Sequence, residues 1–174
     1  MNGDGGMTAG EVAARRRKDW RPVIAAAAWA VTVAIAGGLL TEIGPWYRTL
    51  VKPSWQPPDW LFGPAWTLIF ALTATAGVRA WEASRDAAER RAVVLAFLIN
   101  GVLNVLWSLF FFTLRRPDWA LIEVVPLWLS ILALAVVCGR RSRVAGWLVL
   151  PYLAWVSFAA FLNLTIVRLN GPFG

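Results

Sequence analysis

Hydrophobic residues form five long runs along the chain, and charged residues are confined to the short segments between those runs. Each run has about 20 residues, the length that an α-helix needs to cross the hydrocarbon core of a bilayer. The pattern therefore predicts an all-α, polytopic membrane protein built as a bundle of five transmembrane helices. The predicted spans are residues 22–40, 59–81, 92–114, 118–138 and 144–169.

The segments at the two ends of the chain support these limits. Pro22 suits the first turn of a helix, and the Asn-Gly-Pro sequence of residues 170–172 is typical of a helix end. Residues 1–19 are rich in glycine and then basic, which predicts a disordered tail before a single transmembrane domain of residues 20–174. A signal peptide is the alternative for this start, but the apolar run is longer than an h-region.

A long loop, residues 41–58, joins the first two predicted spans. Its second half and the start of the next span, residues 52–66, read KPSWQPPDWLFGPAW, with four prolines and three tryptophans. Because proline removes a donor and restricts the preceding residue, no long helix is expected before Asp59. Aromatic rings on so rigid a segment lose little entropy when they close over an apolar ligand. We interpret the stretch as a hinge and lid that leads into a membrane helix.

Composition and charge fit a membrane protein. The chain is 59% hydrophobic and 16% charged, whereas a soluble domain has about one-quarter charged residues. A net charge of +7 favours nucleic-acid binding in a soluble protein, but here the basic residues flank apolar spans. Lipid headgroups, and not nucleic acid, are therefore the expected partners of these charges.

Lysine and arginine are divided unequally between the two sides of the predicted bundle. The N-terminal side, with residues 15–21, 79–91 and 140–143, carries twelve of them, and the opposite side carries five. The positive-inside rule then places the N-terminus in the cytoplasm and the long loop outside. The expected location is a bacterial cell membrane.

The chain has no histidine and one cysteine, Cys138. This excludes histidine-ligated haem, zinc sites of the His/Cys type, a catalytic histidine and an intramolecular disulfide. No metal site and no catalytic residue set is predicted.

Polar residues inside the spans are candidates for function because they are costly in a membrane. Asn100, Asn104, Trp107 and Ser108 share one face of the third span. They either make hydrogen bonds between helices or line a pocket, and Asn104 beside Trp107 favours the pocket. Glu123 lies at interfacial depth with a hydrogen-bond partner or lines a cavity, and it has no second carboxylate for paired acid–base catalysis.

Twelve tryptophans are too many for interfacial belts alone. Four of them suit such belts: Trp20, Trp81, Trp119 and Trp147. Four others fall further inside their spans: Trp66, Trp107, Trp128 and Trp155. Flat indole rings around a cavity suit a large planar aromatic or sterol-like ligand.

Three motifs occur in order: WYRTLVKPSWQPPDWLFGPAWTLIF, LNVLWSLFFF and PYLAWVSFAAFLN. They resemble the TspO family, the group of tryptophan-rich sensory proteins and mitochondrial translocator proteins (peripheral-type benzodiazepine receptors). The resemblance covers roughly residues 46–170. It departs from many relatives at Phe70, where they have tyrosine, and at Asn100, where they have glutamine.

The resemblance implies a five-helix membrane protein, often a homodimer, with a pocket between the helices under the first loop. In the family that the chain resembles, this pocket binds porphyrins and drug-like hydrophobic molecules, and no separate cofactor is expected. Carried onto this chain, the ligand-binding residues are Trp55, Trp60, Trp66, Phe70, Asn104, Trp107, Trp155 and Ala159. For the dimer, Gly101 and Ser108 are candidates for close helix packing.

The leading hypothesis is therefore a receptor- or transporter-like membrane protein that binds porphyrins. The resemblance leaves an alternative open, the light- and oxygen-dependent degradation of porphyrin, with Trp66 or Trp155 as the oxidised partner. A structural or interaction role is a third alternative.

Overall fold

The computed structural model describes residues 20–173, so the predicted basic tail of residues 1–19 lies outside the described residues. Each of the five long helices in it is long and apolar enough to cross a membrane. The predicted five-helix membrane bundle is thus confirmed. We label these helices α1 (Arg21–Leu40), α2 (Phe62–Glu82), α3 (Ala87–Ser108), α4 (Pro117–Arg141) and α5 (Arg143–Asn170).

Helix α3 begins earlier than the predicted span. The backbone N–H of Glu89 donates to the Asp86 carboxylate over 2.8 Å, and the Glu89 carboxylate accepts from the N–H of Arg85 over 2.8 Å. Asp86 thus caps one backbone donor that a helix start leaves unpaired, and Glu89 binds the N–H of the residue before the cap. In the charged segment 82–91 between the second and third predicted spans, residues 87–91 therefore belong to the first turns of α3.

Helix α3 also ends differently, because its last residues continue as a π-helical turn, Leu109–Thr113. The chain then reverses at Arg115, whose φ of 55° lies in the left-handed region. This reversal joins α3 to α4.

The long loop has little regular structure, as its prolines predict. We did not predict its five-residue helix, Pro45–Thr49, and a 3₁₀ turn at Asp59–Leu61 leads into α2. The side chain of Asn170, the last residue of α5, forms two hydrogen bonds with the loop. Asn170 accepts a hydrogen bond from the Val51 N–H (2.7 Å) and donates one to the Val51 carbonyl (2.9 Å).

Substituting Asn170 with alanine is expected to loosen the loop, because both hydrogen bonds to Val51 are lost. Cleavage by trypsin after the exposed Arg48 should then become faster, and SDS–PAGE of a digestion time course measures it. Thr165→Ala is the control, since the Thr165 hydroxyl bonds only a carbonyl of its own helix. Equal cleavage rates in the two variants would contradict this role of Asn170.

The helices pack in the cyclic order α1, α2, α5, α4, α3, and α3 closes the ring against α1. The main core is formed by α2 to α5 and includes Ile131, Leu134, Val149 and Tyr152, all almost completely buried. Within α1 the only buried residue is Val33. Helix α1 is therefore loosely covered on its inner side, and space remains between it and the other helices.

The small residue Gly101 serves packing within the chain. A Cβ atom at Gly101 would lie 2.8 Å from the Trp29 indole nitrogen and 3.0 Å from a methyl carbon of Val33. Gly101 thus lets α1 approach α3, and Ser108 is buried and faces a cavity. The expectation that these two residues support a dimer interface is wrong, because both face the inside of the bundle.

Candidate functional site

A cavity of about 740 Å³ lies between the five helices, under the long loop. This volume is in the range of small-molecule pockets, roughly 300–1,000 Å³. The loop contributes Ile43 and Tyr47 to its lining, and the 3₁₀ turn that follows it contributes Asp59. Six of the predicted ligand-binding residues also line it: Trp66, Phe70, Asn104, Trp107, Trp155 and Ala159.

Trp55 and Trp60, the other two predicted ligand-binding residues, do not line the cavity. The Trp55 ring stacks on Phe161 with a centroid distance of 5.2 Å and meets Phe158 edge-on at 5.9 Å. Since Phe161 is itself an exposed residue of α5, Trp55 covers an outer surface of the bundle. Trp60 is 71% exposed. In this structure the cavity is closed by Tyr47 and Asp59, and the two loop tryptophans lie elsewhere.

The aromatic walls of the cavity hold one another in place. The Trp66 ring stacks on Phe70 (5.3 Å) and meets Tyr152 edge-on (5.8 Å), and Trp107 stacks on Phe111 (5.2 Å). Such offset and edge contacts fix the rings beyond what simple burial does. The walls are therefore flat, rigid and apolar before any ligand arrives.

The polar residues predicted to share one face of α3 have two different roles. Asn100 donates to the Ser130 hydroxyl on α4 (3.0 Å), so it makes a hydrogen bond between helices. Asn104 lines the cavity and donates to the buried Tyr152 hydroxyl on α5 (2.9 Å). The pocket alternative thus describes the position of Asn104, and also that of Ser108.

Two indole N–H groups of the cavity lining are buried without a hydrogen-bond partner among residues 20–173. They belong to Trp107 and Trp155. A buried donor without a partner costs about 1–3 kcal/mol, and most such groups are paired in native structures. These donors can be satisfied by a ligand that carries hydrogen-bond acceptors.

We did not predict the wall that α1 contributes to the cavity. It is made mainly of small residues spaced at helical intervals: Ala27, Ala30, Ala34 and Gly37. The spacing of i, i+3, i+7 and i+10 places them on one face. This pattern is visible in the sequence, but alanine and glycine are common in membrane helices and carry no chemistry of their own.

The loop is closed over the cavity by hydrogen bonds among three side chains. The Tyr47 hydroxyl donates to the Asp59 carboxylate, and the Gln56 amide donates to both, each over 3.2 Å. The Lys52 ammonium lies 3.6 Å from the centre of the Tyr47 ring, a cation–π contact. Burial, and then the negative charge of Asp59, raise the pKa of Tyr47 to about 12.

The raised pKa of Tyr47 predicts how the loop responds to alkali. The folded pKa of Tyr47 exceeds the ordinary value of about 10. The neutral Tyr47 hydroxyl therefore stabilises the folded loop fully below about pH 10, and this contribution is lost as the pH rises towards 12. The chain has two tyrosines, so tyrosinate absorbance in a Tyr152→Phe background reports Tyr47 alone. In the Asp59→Asn variant the pKa should fall only in part, since burial is the larger cause. Titration of Tyr47 at its ordinary value in the folded protein would contradict the closed loop.

Glu123 fits neither of the alternatives that the sequence left open. It is buried in α4, it does not line the cavity, and neither of its carboxyl oxygens has a hydrogen-bond partner among the described residues. Its neighbours Val124 and Leu127 reach the cavity instead.

A family model described as the TspO/MBR family matches residues 25–169 of the chain. The chain belongs to the TspO/MBR family. Among curated proteins, the tryptophan-rich protein TspO of Chlorobaculum tepidum is 42% identical over 142 residues, which are 80% of this chain and 90% of that protein. The tryptophan-rich sensory protein of Cereibacter sphaeroides is 37% identical, over 76% of this chain and 82% of that protein.

The human translocator protein is 32% identical over 126 residues, which are 72% of this chain and 75% of that protein. Members of the TspO/MBR family that resemble this chain thus occur in both bacteria and animals. The predicted family membership is confirmed. Together with the five apolar helices, it makes the chain an integral, multi-pass membrane protein.

Proposed function

We propose that this protein binds porphyrins, or similar flat hydrophobic molecules, in the cavity under the long loop, as a receptor or transporter. The observation that carries the proposal is the cavity itself. It holds about 740 Å³, its indole and phenyl rings are fixed in advance, and two of its N–H donors lack partners among the described residues. Preformed apolar walls with a few aimed polar groups are typical of small-molecule sites.

The two indole donors indicate which groups of the ligand lie against the aromatic wall. Trp107 and Trp155 can each donate to an acceptor, such as a ring nitrogen or a carbonyl oxygen. The charged side chain in the lining is the acid Asp59. Carboxylate groups of a ligand would therefore avoid Asp59 and point past the loop, towards the cations Arg48 and Lys52 outside the membrane.

Titration of tryptophan fluorescence with protoporphyrin in the dark tests this proposal. Saturable quenching is expected in the detergent-purified protein, and Trp155→Phe and Asn104→Ala should each weaken binding by about tenfold, since each removes a polar partner from the cavity. The matched control is Trp147→Phe, which removes a 71% exposed indole from the same helix α5. If the quenching did not saturate and was the same in all three variants, protoporphyrin would merely partition into the micelle. That result would contradict the proposal.

The same samples separate binding from degradation when they are illuminated. Trp66 and Trp155 both line the cavity, so an excited porphyrin would be within reach of an oxidisable indole. Loss of porphyrin absorbance that requires light, oxygen and either tryptophan would favour the degrading activity. Stable absorbance under light would favour a receptor or transporter, as the name of the similar human translocator protein also does.

We propose that the N-terminus is cytoplasmic, because lysine and arginine are concentrated on that side of the bundle. We also propose that the protein is a homodimer, because it resembles a family whose members are often homodimers. Cysteine labelling from either side of the membrane and native mass spectrometry test them.

A further inference from the structure

A second concavity lies at the other end of the bundle, where α1 and α3 begin and α2 ends. This groove has a volume of about 420 Å³, and none of its lining residues also lines the cavity. Trp29 lies between the two spaces: it lines the groove, and its ring meets Phe70, a cavity residue, edge-on at 6.2 Å. The groove is thus a separate site, beyond the proposed porphyrin cavity.

The interior of the groove is apolar and built by close packing. The Trp29 indole donates to the Phe97 carbonyl (3.0 Å), and the two rings meet edge-on at 5.0 Å. A Cβ atom at Gly77 would lie 2.8 Å from the Phe97 ring, so the absence of a side chain there lets Phe97 form the floor. On α1 the small residues Ala25 and Ala26 leave the space open. A hydrocarbon chain is the complement of such a surface.

The mouth of the groove is positively charged. Arg21 lines it, and the Arg90 guanidinium lies 5.4 Å from the ring centre of Trp81, which also lines it. This end of the described bundle carries eight arginines and three acids. They are Arg21, Arg79, Arg85, Arg90, Arg91, Arg140, Arg141 and Arg143, with Glu82, Asp86 and Glu89. One of the acids, Glu89, is already paired with Arg141 (3.4 Å).

We propose that the groove binds an anionic phospholipid, with one acyl chain between α1, α2 and α3 and the phosphate against Arg21 and Arg90. Basic sites between transmembrane helices attract anionic headgroups, and each cation near the surface strengthens that attraction. A tryptophan such as Trp81 suits the headgroup level that this arrangement requires. The apolar groove favours a lipid acyl chain, and the arginines at its mouth favour a negatively charged headgroup.

Native mass spectrometry of the detergent-purified protein, titrated with phosphatidylglycerol or with phosphatidylcholine of the same chains, tests the charge. Phosphatidylglycerol should bind about tenfold more tightly to the wild type. The double substitution Arg21→Gln and Arg90→Gln should abolish that preference. Arg140→Gln with Arg143→Gln removes two charges from the same end but away from the groove, and should retain it. No preference in the wild type, or equal loss in both double variants, would overturn the proposal.

Filling the groove tests the acyl-chain site. Ala25 and Ala28 are both exposed on α1, but only Ala25 lines the groove. Ala25→Phe should weaken binding of both lipids, and Ala28→Phe should leave it unchanged, with equal melting temperatures to show that both variants fold. If Ala25→Phe changed the dimer content and left lipid binding intact, a second copy of the chain would be the occupant, and the proposal would be wrong.

Discussion

Replacing Ala34 with phenylalanine is expected to abolish high-affinity binding of protoporphyrin. Ala34 lies at the centre of the small-residue wall of α1, with Ala30 and Gly37 on either side of it. A phenyl ring there would occupy the space that a flat ligand needs. Because overpacking of this kind costs about 1–3 kcal/mol, the affinity should fall by about 5-fold to 150-fold. Quenching of tryptophan fluorescence in the dark measures the change.

The control for Ala34→Phe is Ala28→Phe, which adds the same ring to α1 at a position that lines neither the cavity nor the groove. Its affinity for protoporphyrin should equal that of the wild type. If Ala34→Phe also bound as the wild type does, the ligand would occupy another part of the molecule. The cavity would then lose its role in the proposed function, although the fold would stand.

Replacing Gly146 with alanine is expected to cause the largest loss of stability among single small substitutions at the helix interfaces. A Cβ atom there would lie 2.8 Å from the Cα of Gly139 and 3.2 Å from the Ala135 carbonyl oxygen. Both contacts involve backbone, which cannot rotate away, so α4 and α5 must move apart. We expect a loss of at least about 1–3 kcal/mol. Thermal unfolding in detergent, followed by size-exclusion chromatography, would show it as a lower midpoint.

Gly139→Ala is the matched control at the same crossing of α4 and α5. The Cβ it adds would lie 3.6 Å from the Cα of Gly146, an ordinary van der Waals distance. This variant should therefore unfold close to the wild-type temperature. A reversed order, with Gly139→Ala the less stable of the two, would show that the helices cross differently from the structure described here.

Helix α1 links the two proposed sites. One face of it lines the cavity with small residues, and another face lines the groove with Ala25, Ala26 and Trp29. Its approach to α3 depends on Gly101. Since α1 buries little besides Val33, it is the helix that the rest of the bundle holds least firmly.

Much of the fold could be predicted from the sequence because membranes impose a simple rule. A backbone in hydrocarbon must satisfy its own hydrogen bonds, so five apolar runs of about 20 residues become five helices. The prolines of residues 52–58 likewise decide by themselves that no long helix forms there. Six of the eight residues expected from the family motifs line the cavity. They lie on packed helices, where positions that match the motifs face the same way, towards the interior.

The remaining features depended on long-range contacts. Trp55 and Trp60 lie in the same tryptophan-rich stretch as the cavity residue Trp66. The path of the loop determines which of these rings faces the cavity. Tyr47 and Asp59 close the cavity through their own hydrogen bond and through Gln56, which donates to both of them from across the loop. For Glu123 the sequence left two alternatives, a hydrogen-bonded position at interfacial depth or a place in the cavity lining. The packing of α4 gives it neither a hydrogen-bond partner among the described residues nor a place in the lining.

By itself, the sequence determined the class of the protein, its spans, its family and most of the aromatic cavity wall. Local rules, namely helix length in a bilayer, proline geometry and the spacing of side chains on a helix, are sufficient for these. Only the tertiary structure decided that α1 supplies the wall of small residues, that Gly101 faces α1 and not a partner, and that an apolar groove meets arginines at the basic end. The physical reason is that empty space and close contact are properties of pairs of helices, and neither is encoded in any one of them alone.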